Sequence, residues 1–419
     1  MLANPSASRL SDESLAGFDT LMGTLPPEPI VAAYASAGSI IDQCSRIQVT
    51  WSPGTRLIVR FRIHGIGGDL AGRRDVVASV GTIPDGALLV EGSDASVGIW
   101  VVPHDPVLPG LASAMDASTV GGVLDRLGHP DTDVRTRLVA YRPARRAVVE
   151  VRSSRRTLYV KVVPPGSVAR LHQLHRYLSS QAPVPDSIGF DPDLGLLILP
   201  PVPGESLRTV LRNPDLSLPD PSAIVGLAHG LPAPETDTVC TSPIDRLGHA
   251  TSLLRRLVPD ESGRIDAIVS RIGPETEDPT TPSHGDFYEA QVLVRDAAVT
   301  GFVDVDTFGW GRRSDDAATM LGHLAMLSED SSHADRILSF THRLASIWSD
   351  TIDTEDTLRR AAAVVLGLAT GPFRVQSPDW ERQTRSRITS ATRMLNEGLP
   401  GRERSLIANS RMPHVGIRI

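Results

Sequence analysis

The stretch Ser283-His284-Gly285-Asp286-Phe287-Tyr288-Glu289-Ala290-Gln291-Val292-Leu293-Val294, with Gly301-Phe302-Val303-Asp304-Val305-Asp306 a few residues on, decides how this chain is read. Gly285 permits a tight backbone turn that holds the Asp286 carboxylate in a loop. Gln291 opens the apolar run Val292-Leu293-Val294, which has the character of a strand. Residues 295–300 are a hairpin-sized connection, and Phe302-Val303 leads into Asp304. A loop carboxylate, a side-chain amide at the start of one strand and a carboxylate at the end of its partner are thereby brought together. Strand alternation places Asp306 on the same side as Asp304.

Phosphoryl transfer uses such a set. One carboxylate receives the proton of an attacking hydroxyl, and hard oxygen ligands hold Mg2+ on nucleotide phosphates. Asp286 suits the first task as catalytic base. Gln291 and Asp304 suit the second, with Asp306 as a further metal ligand or organiser. The His-Gly-Asp triplet and the 18-residue step from Asp286 to Asp304 resemble the aminoglycoside phosphotransferase and choline kinase family. The resemblance implies a kinase-like fold, ATP and Mg2+ as cofactors, a small-molecule hydroxyl substrate, and a bracing role for His284. Two departures stand out. Gln291 replaces the family's Asn, as in maltokinase-like members. In Gly311-Arg312-Arg313-Ser314-Asp315-Asp316 two arginines replace Asp-Pro, which points to altered substrate recognition, and Asp316 falls at the later, structural Asp.

Working outward, residues 135–163 form a strand meander, with strands over 137–141, 147–152 and 157–163. Lys161 sits mid-strand among apolar neighbours, where a charge is costly to bury without an anion. It is assigned to the ATP phosphates. The turn before the second strand contains Arg145 and Arg146 and no glycine. Guanidinium groups hold phosphate oxygens bidentately, so both are candidate nucleotide contacts, although a solvated basic turn explains them equally well. The following helix, with Ser167 near its N-cap, contains no acid through Ser180. The family's usual Lys-Glu pair therefore cannot form, and Glu150 is left as a weak substitute. Leu197 to Glu205 resembles the hinge, with backbone near Leu199 facing adenine.

The expected fold class is α+β, a protein-kinase-like two-lobed fold with an additional small β-rich N-terminal module. The expected divisions are a weakly ordered leader over 1–27, the β-rich module and linker over 28–131, the kinase-like N-lobe over 132–204, and a helical C-lobe over 205–419. Gly65-Ile66-Gly67-Gly68 lacks the Lys-Ser/Thr of a phosphate loop and reads as a hairpin turn. His249 and His323 read as ordinary helix residues.

Composition narrows the classes. The chain is 41% hydrophobic and 22% charged, the balance of a globular protein. A net charge of −7 argues against general nucleic-acid binding. No signal peptide or membrane span is read, so the expected location is the cytoplasm. Cys44 and Cys240 are too few for a disulfide framework or a cysteine zinc site. The expected activity is ATP- and Mg-dependent transfer of the γ-phosphate to a hydroxyl of a small molecule, a sugar or aminoglycoside-like alcohol. The alternative is a non-catalytic kinase-like protein that binds nucleotide or a partner. A metal-dependent hydrolase built on His284, Asp286 and Asp304 would want more histidine ligands.

Overall fold

The computed structural model describes residues 10–92 and 94–401. The first nine residues of the expected leader and residues 402–419 lie outside the described residues. Two five-stranded antiparallel sheets form the first half. The first has β1 (Ile40–Ser52), β2 (Arg56–Ile66), β3 (Gly72–Gly81), β4 (Leu88–Glu91) and β5 (Ser96–Val101), ordered β1-β2-β3-β5-β4. The second has β6 (Arg135–Arg142), β7 (Arg146–Arg152), β8 (Thr157–Val162), β9 (Gly189–Asp191) and β10 (Leu196–Leu199), ordered β6-β7-β8-β10-β9. The helix Pro165–Ser179 lies between β8 and β9 in the chain and buries Val168, Leu171, His175 and Leu178. Residues after 205 are mostly helical, with a three-stranded sheet of β11 (Glu205–Ser206), β13 (Val292–Arg295) and β14 (Ala298–Phe302), and a pair of β12 (Thr281–Ser283) and β15 (Gly309–Gly311). A sheet-rich lobe joined to a helical lobe is the protein-kinase-like arrangement. Among the described residues no helix is long and apolar enough to cross a membrane.

β2 shows why the first sheet is covered on both faces. Leu57, Val59, Phe61 and Ile63 alternate onto one face, where they pack with Phe18, Leu21, Ile30 and Tyr34. Ile58 points the other way, joining Val77 and Trp100 in a core shared with Val149, Val160 and Ile198 of the second sheet. The glycine-rich turn after β2 is a turn, with Gly67 and Gly68 at positive φ. The first core also takes in Leu253, Leu257 and Phe373 from the helical lobe. The β-rich module therefore touches both lobes.

Two expectations need correction here. Residues 10–27 are not a loose leader, because Leu15, Phe18 and Leu21 are buried in the first core. The segment carries one short helix, Phe18–Met22, whose Phe18 and Leu21 are the buried anchors. The linker that closes the second expected division is also ordered, over residues 103–131. It carries helices Gly110–Met115 and Ala117–Arg126, the latter capped by Asp116 accepting from the Thr119 amide, and its Leu111, Val120 and Leu124 pack under the second sheet. Burial of these residues against the second sheet offsets the weak helix preference of the small residues around them. Ser167 does not cap the helix Pro165–Ser179, since Pro164 is the cap and the Ser167 hydroxyl donates to the Pro164 carbonyl at 2.7 Å.

Candidate active site

The Asp286 loop is built from inside the helical lobe. Gly285 has φ +77°, and a Cβ there would lie 2.7 Å from the Thr307 carbonyl oxygen, so only glycine makes this turn. Asp316, near the start of the helix Arg313–Glu329, is buried and accepts the His284 amide at 2.8 Å and the Gly285 amide at 3.0 Å. Its carboxylate thus organises the loop and does not cap its own helix. His284 is fully buried. Its Nε2 is 3.0 Å from the Val303 carbonyl, which can only accept, so Nε2 carries the proton. Nδ1 is then the acceptor for the Asp286 amide at 3.3 Å. One imidazole therefore ties the Asp286 turn to the backbone just before Asp304.

Asp304 sits in the left-handed region at φ 62°, where the chain leaves β14 and enters a short 3-10 turn over Val305–Thr307. A non-glycine residue held there is a mark of functional sites. Asp304 and Asp306 do converge, but through this turn and not through strand alternation. Lys161 Nζ lies 2.7 Å from Asp304 Oδ1 and 2.5 Å from Asp306 Oδ1. Arg146 donates to both Asp304 oxygens, at 3.1 and 3.0 Å, and lies 3.7 Å from Asp306. Gln291 donates to Asp304 Oδ2 at 3.3 Å. Burial alone would raise the Asp304 carboxyl, yet Lys161 and Arg146 beside it hold it well below the ordinary carboxylate range. The lysine on β8, the arginine that opens β7 and the two acids of the helical lobe thus form one charge cluster across the lobes.

Each sequence candidate can now be placed. Lys161, Arg146, Gln291, Asp304 and Asp306 meet. Asp286 is half-buried and close enough for its charge to act on Arg146. Arg146 itself rests on Asp304, a contact the sequence reading did not anticipate. Arg145 is exposed on the turn. That turn is set by the buried Asp105, which accepts the Ala144 amide at 2.8 Å and the Tyr141 hydroxyl at 2.7 Å. Leu199 ends β10, opposite Tyr159 of β8. Glu150 is not the partner of Lys161, because Arg137 and Arg152 take it, at 2.9 and 2.6 Å. On the acid-free helix His175 gives Nδ1 to the Pro185 carbonyl at 2.8 Å and leaves Nε2 buried without a partner. Arg312 does not face a substrate: it is buried, donating to the Glu277 carbonyl at 2.7 Å beside Glu275.

His323, expected as an ordinary helix residue, belongs to the site, and so does Arg246, which no motif singles out. His323 stacks on Tyr288 with ring centroids 4.2 Å apart, and Arg246 donates to the Gly285 carbonyl at 3.1 Å. No local motif marks either residue, and only the packing of two helices against the Asp286 loop brings them in.

Two lobes thus meet on a lysine, two carboxylates and a braced His-Gly-Asp turn. Residues 143–342 match the sequence profile of the Phosphotransferase enzyme family. No curated protein matches the chain. Among solved structures it is similar to an aminoglycoside-3'-phosphotransferase of type VIII, at 20% identity and TM-score 0.41, over 59% of this chain and 98% of that one. It is also similar to a thermostable mutant aminoglycoside phosphotransferase in ternary complex with ADP and hygromycin B, at 12% identity and TM-score 0.46, over 65% and 97%. An ethanolamine kinase from Plasmodium vivax is similar at 12% identity and TM-score 0.43, over 66% and 89%.

Proposed function

We propose that this protein transfers the γ-phosphate of ATP to a hydroxyl of a small molecule, a sugar or aminoglycoside-like alcohol, in a magnesium-dependent reaction. The observation that carries the reading is the convergence of Lys161 with Asp304 and Asp306 across the lobes, next to the braced Asp286 loop. Asp304, Asp306 and the Gln291 carbonyl are hard oxygen donors, the set that suits Mg2+. Among the described residues no three His, Cys, Asp or Glu side chains gather as a self-sufficient metal site. When bound, magnesium neutralises phosphate charge.

The chain's own residues do the rest. Lys161, Arg145 and Arg146 hold the phosphates. The hinge after Leu199 receives adenine. Pro200 and Pro201 lack amide hydrogens, so its donors are the neighbouring amides of Leu199 and Val202. The acceptor oxygen bonds to the γ-phosphorus, the bond to the ADP oxygen breaks, and the hydroxyl proton passes to Asp286. Positioning and charge neutralisation supply most of the rate.

Calorimetry with Mg-ATP tests the reading on wild type, Asp304→Asn and Asp286→Asn. Metal-dependent binding that is lost in Asp304→Asn and kept in Asp286→Asn supports the assigned roles. Absence of binding by wild type at millimolar nucleotide sinks the active-kinase reading and favours the non-catalytic alternative, for which the acid-free helix Pro165–Ser179 speaks.

A further inference from the structure

Asp286 lines a cavity of about 400 Å³ between the helices Leu247–Leu257, Arg313–Glu329 and Thr354–Leu368. That volume suits a small ligand. A cavity of about 490 Å³ over Leu218, Asp220 and Arg343 is larger, but none of the site carboxylates lines it. The walls at Asp286 are mainly apolar, with Leu247, Leu253, Val364 and Leu368 among them. Their polar complement is limited. Thr319 and Thr370 also line the cavity, but their hydroxyl hydrogens go to the Asp315 carbonyl at 2.8 Å and the Gly367 carbonyl at 2.9 Å. His323 is kept neutral, since burial holds it down to about 4. Arg246 is fixed at the rim by its bond to the Gly285 carbonyl. Asp286 is the one carboxylate among the lining residues, and it has to receive the proton of the reacting hydroxyl.

Resting on the phosphotransferase reading, we propose that the acceptor is an uncharged alcohol with an apolar face, and not a polyamine of the aminoglycoside type. Each ammonium of a polyamine would leave water without a carboxylate to receive it, a costly transfer. The fixed charge it would meet at the rim is a guanidinium. An uncharged polyol loses nothing of this kind. Its apolar face covers the leucine and valine walls, and its hydroxyls reach Asp286 and the imidazoles of His249 and His323.

The test first establishes Mg-ATP binding by wild type, whose failure would remove the phosphotransferase reading and this proposal with it. With binding in hand, ADP release is followed with uncharged alkyl glycosides and polyols, and separately with kanamycin. The neutral compounds are expected to exceed kanamycin in kcat/KM by at least about 100-fold. Gly367 offers a second handle. A Cβ there points into open space in a helix, so Gly367→Leu fills the cavity without backbone strain. It should raise the acceptor KM at least about 10-fold. His249→Glu, at an exposed position, adds a carboxylate to the wall and should shift preference toward kanamycin. Turnover of kanamycin at or above the best neutral alcohol overturns the proposal while leaving the kinase reading intact. So does failure of every neutral alcohol to bind or react in a protein that binds Mg-ATP.

Discussion

Arg146 occupies the position that a divalent cation would contest. Its guanidinium holds both oxygens of Asp304, at 3.1 and 3.0 Å, while Lys161 holds one of them at 2.7 Å. In Arg146→Gln the carboxylate keeps Lys161 but loses one of its two cations. Two unit charges about 4 Å apart attract by roughly 4 kcal/mol at an effective dielectric of about 20. The side chains are 26% and 20% exposed, so screening and the cost of desolvation reduce the net contribution to about 1–2 kcal/mol. That corresponds to roughly 5- to 30-fold in a binding constant. Without nucleotide, Arg146→Gln should therefore bind Mn2+ about 5- to 30-fold more tightly than wild type, read from the free-ion signal in paramagnetic resonance. The same variant should have a higher KM for ATP, because the guanidinium that leaves Asp304 is the one assigned to the phosphates. Opposite signs on the two ligands are the signature. Unchanged or weaker Mn2+ binding would refute the idea that Arg146 exchanges between carboxylate and phosphate.

Three further outcomes follow from other parts of the molecule. Asp105→Ala leaves the Ala144 amide and the Tyr141 hydroxyl without their acceptor; it should cost about 1–3 kcal/mol in urea unfolding and raise the KM for ATP as the turn loosens. Arg360 is fully buried and lies 2.8 Å from Asp315, 2.7 Å from Glu275 and 2.6 Å from Asp356, so Arg360→Met strands three acids and should cost about 3–5 kcal/mol by the same assay. Burial, opposed by Asp286 and aided by Arg208, holds His323 down to about 4. Its unfolded value is near 6.5, so the unfolded state binds more protons in between, and wild type should lose up to roughly 3 kcal/mol as pH falls from about 6.5 to 4. Burial pushes Asp315 up to about 6, which works in the opposite direction; the measurement is therefore the pH dependence of the difference between wild type and His323→Asn, and a flat difference would contradict it.

The site was legible where its chemistry follows the chain. His284-Gly285-Asp286, Gln291 and Asp304 lie within a single turn-and-hairpin unit, so their order and spacing already implied their meeting. Lys161 was legible as a charge in an apolar strand, although its partners were not, because Asp304 and Asp306 lie more than a hundred residues away and only the packing of the lobes joins them. Glu150 looked available because it lies on the neighbouring strand, yet Arg137 across the sheet and Arg152 on its own strand take it. The helices at 110–126 were hidden by small residues whose helicity depends on burial against the second sheet. Asp105 carries no motif at all, since it acts through one backbone amide and one hydroxyl in a different part of the chain.

The first sheet has a mechanical consequence. Through Ile58, Val77 and Trp100 it is fused to the small lobe. Through Trp51, whose ring lies 6.3 Å from that of Phe373 and 5.8 Å from the guanidinium carbon of Arg256, it also grips the helical lobe. Such a strut turns the pair of lobes into a braced frame, and swinging them apart about the Pro200-Pro201 segment would shear an aromatic contact on the far side. The aperture of the cleft is then set by the frame, across which Lys161 and Arg146 pair with Asp304. A fragment cut before the second sheet would lose the brace, and with it the buried faces that keep the jaws in register.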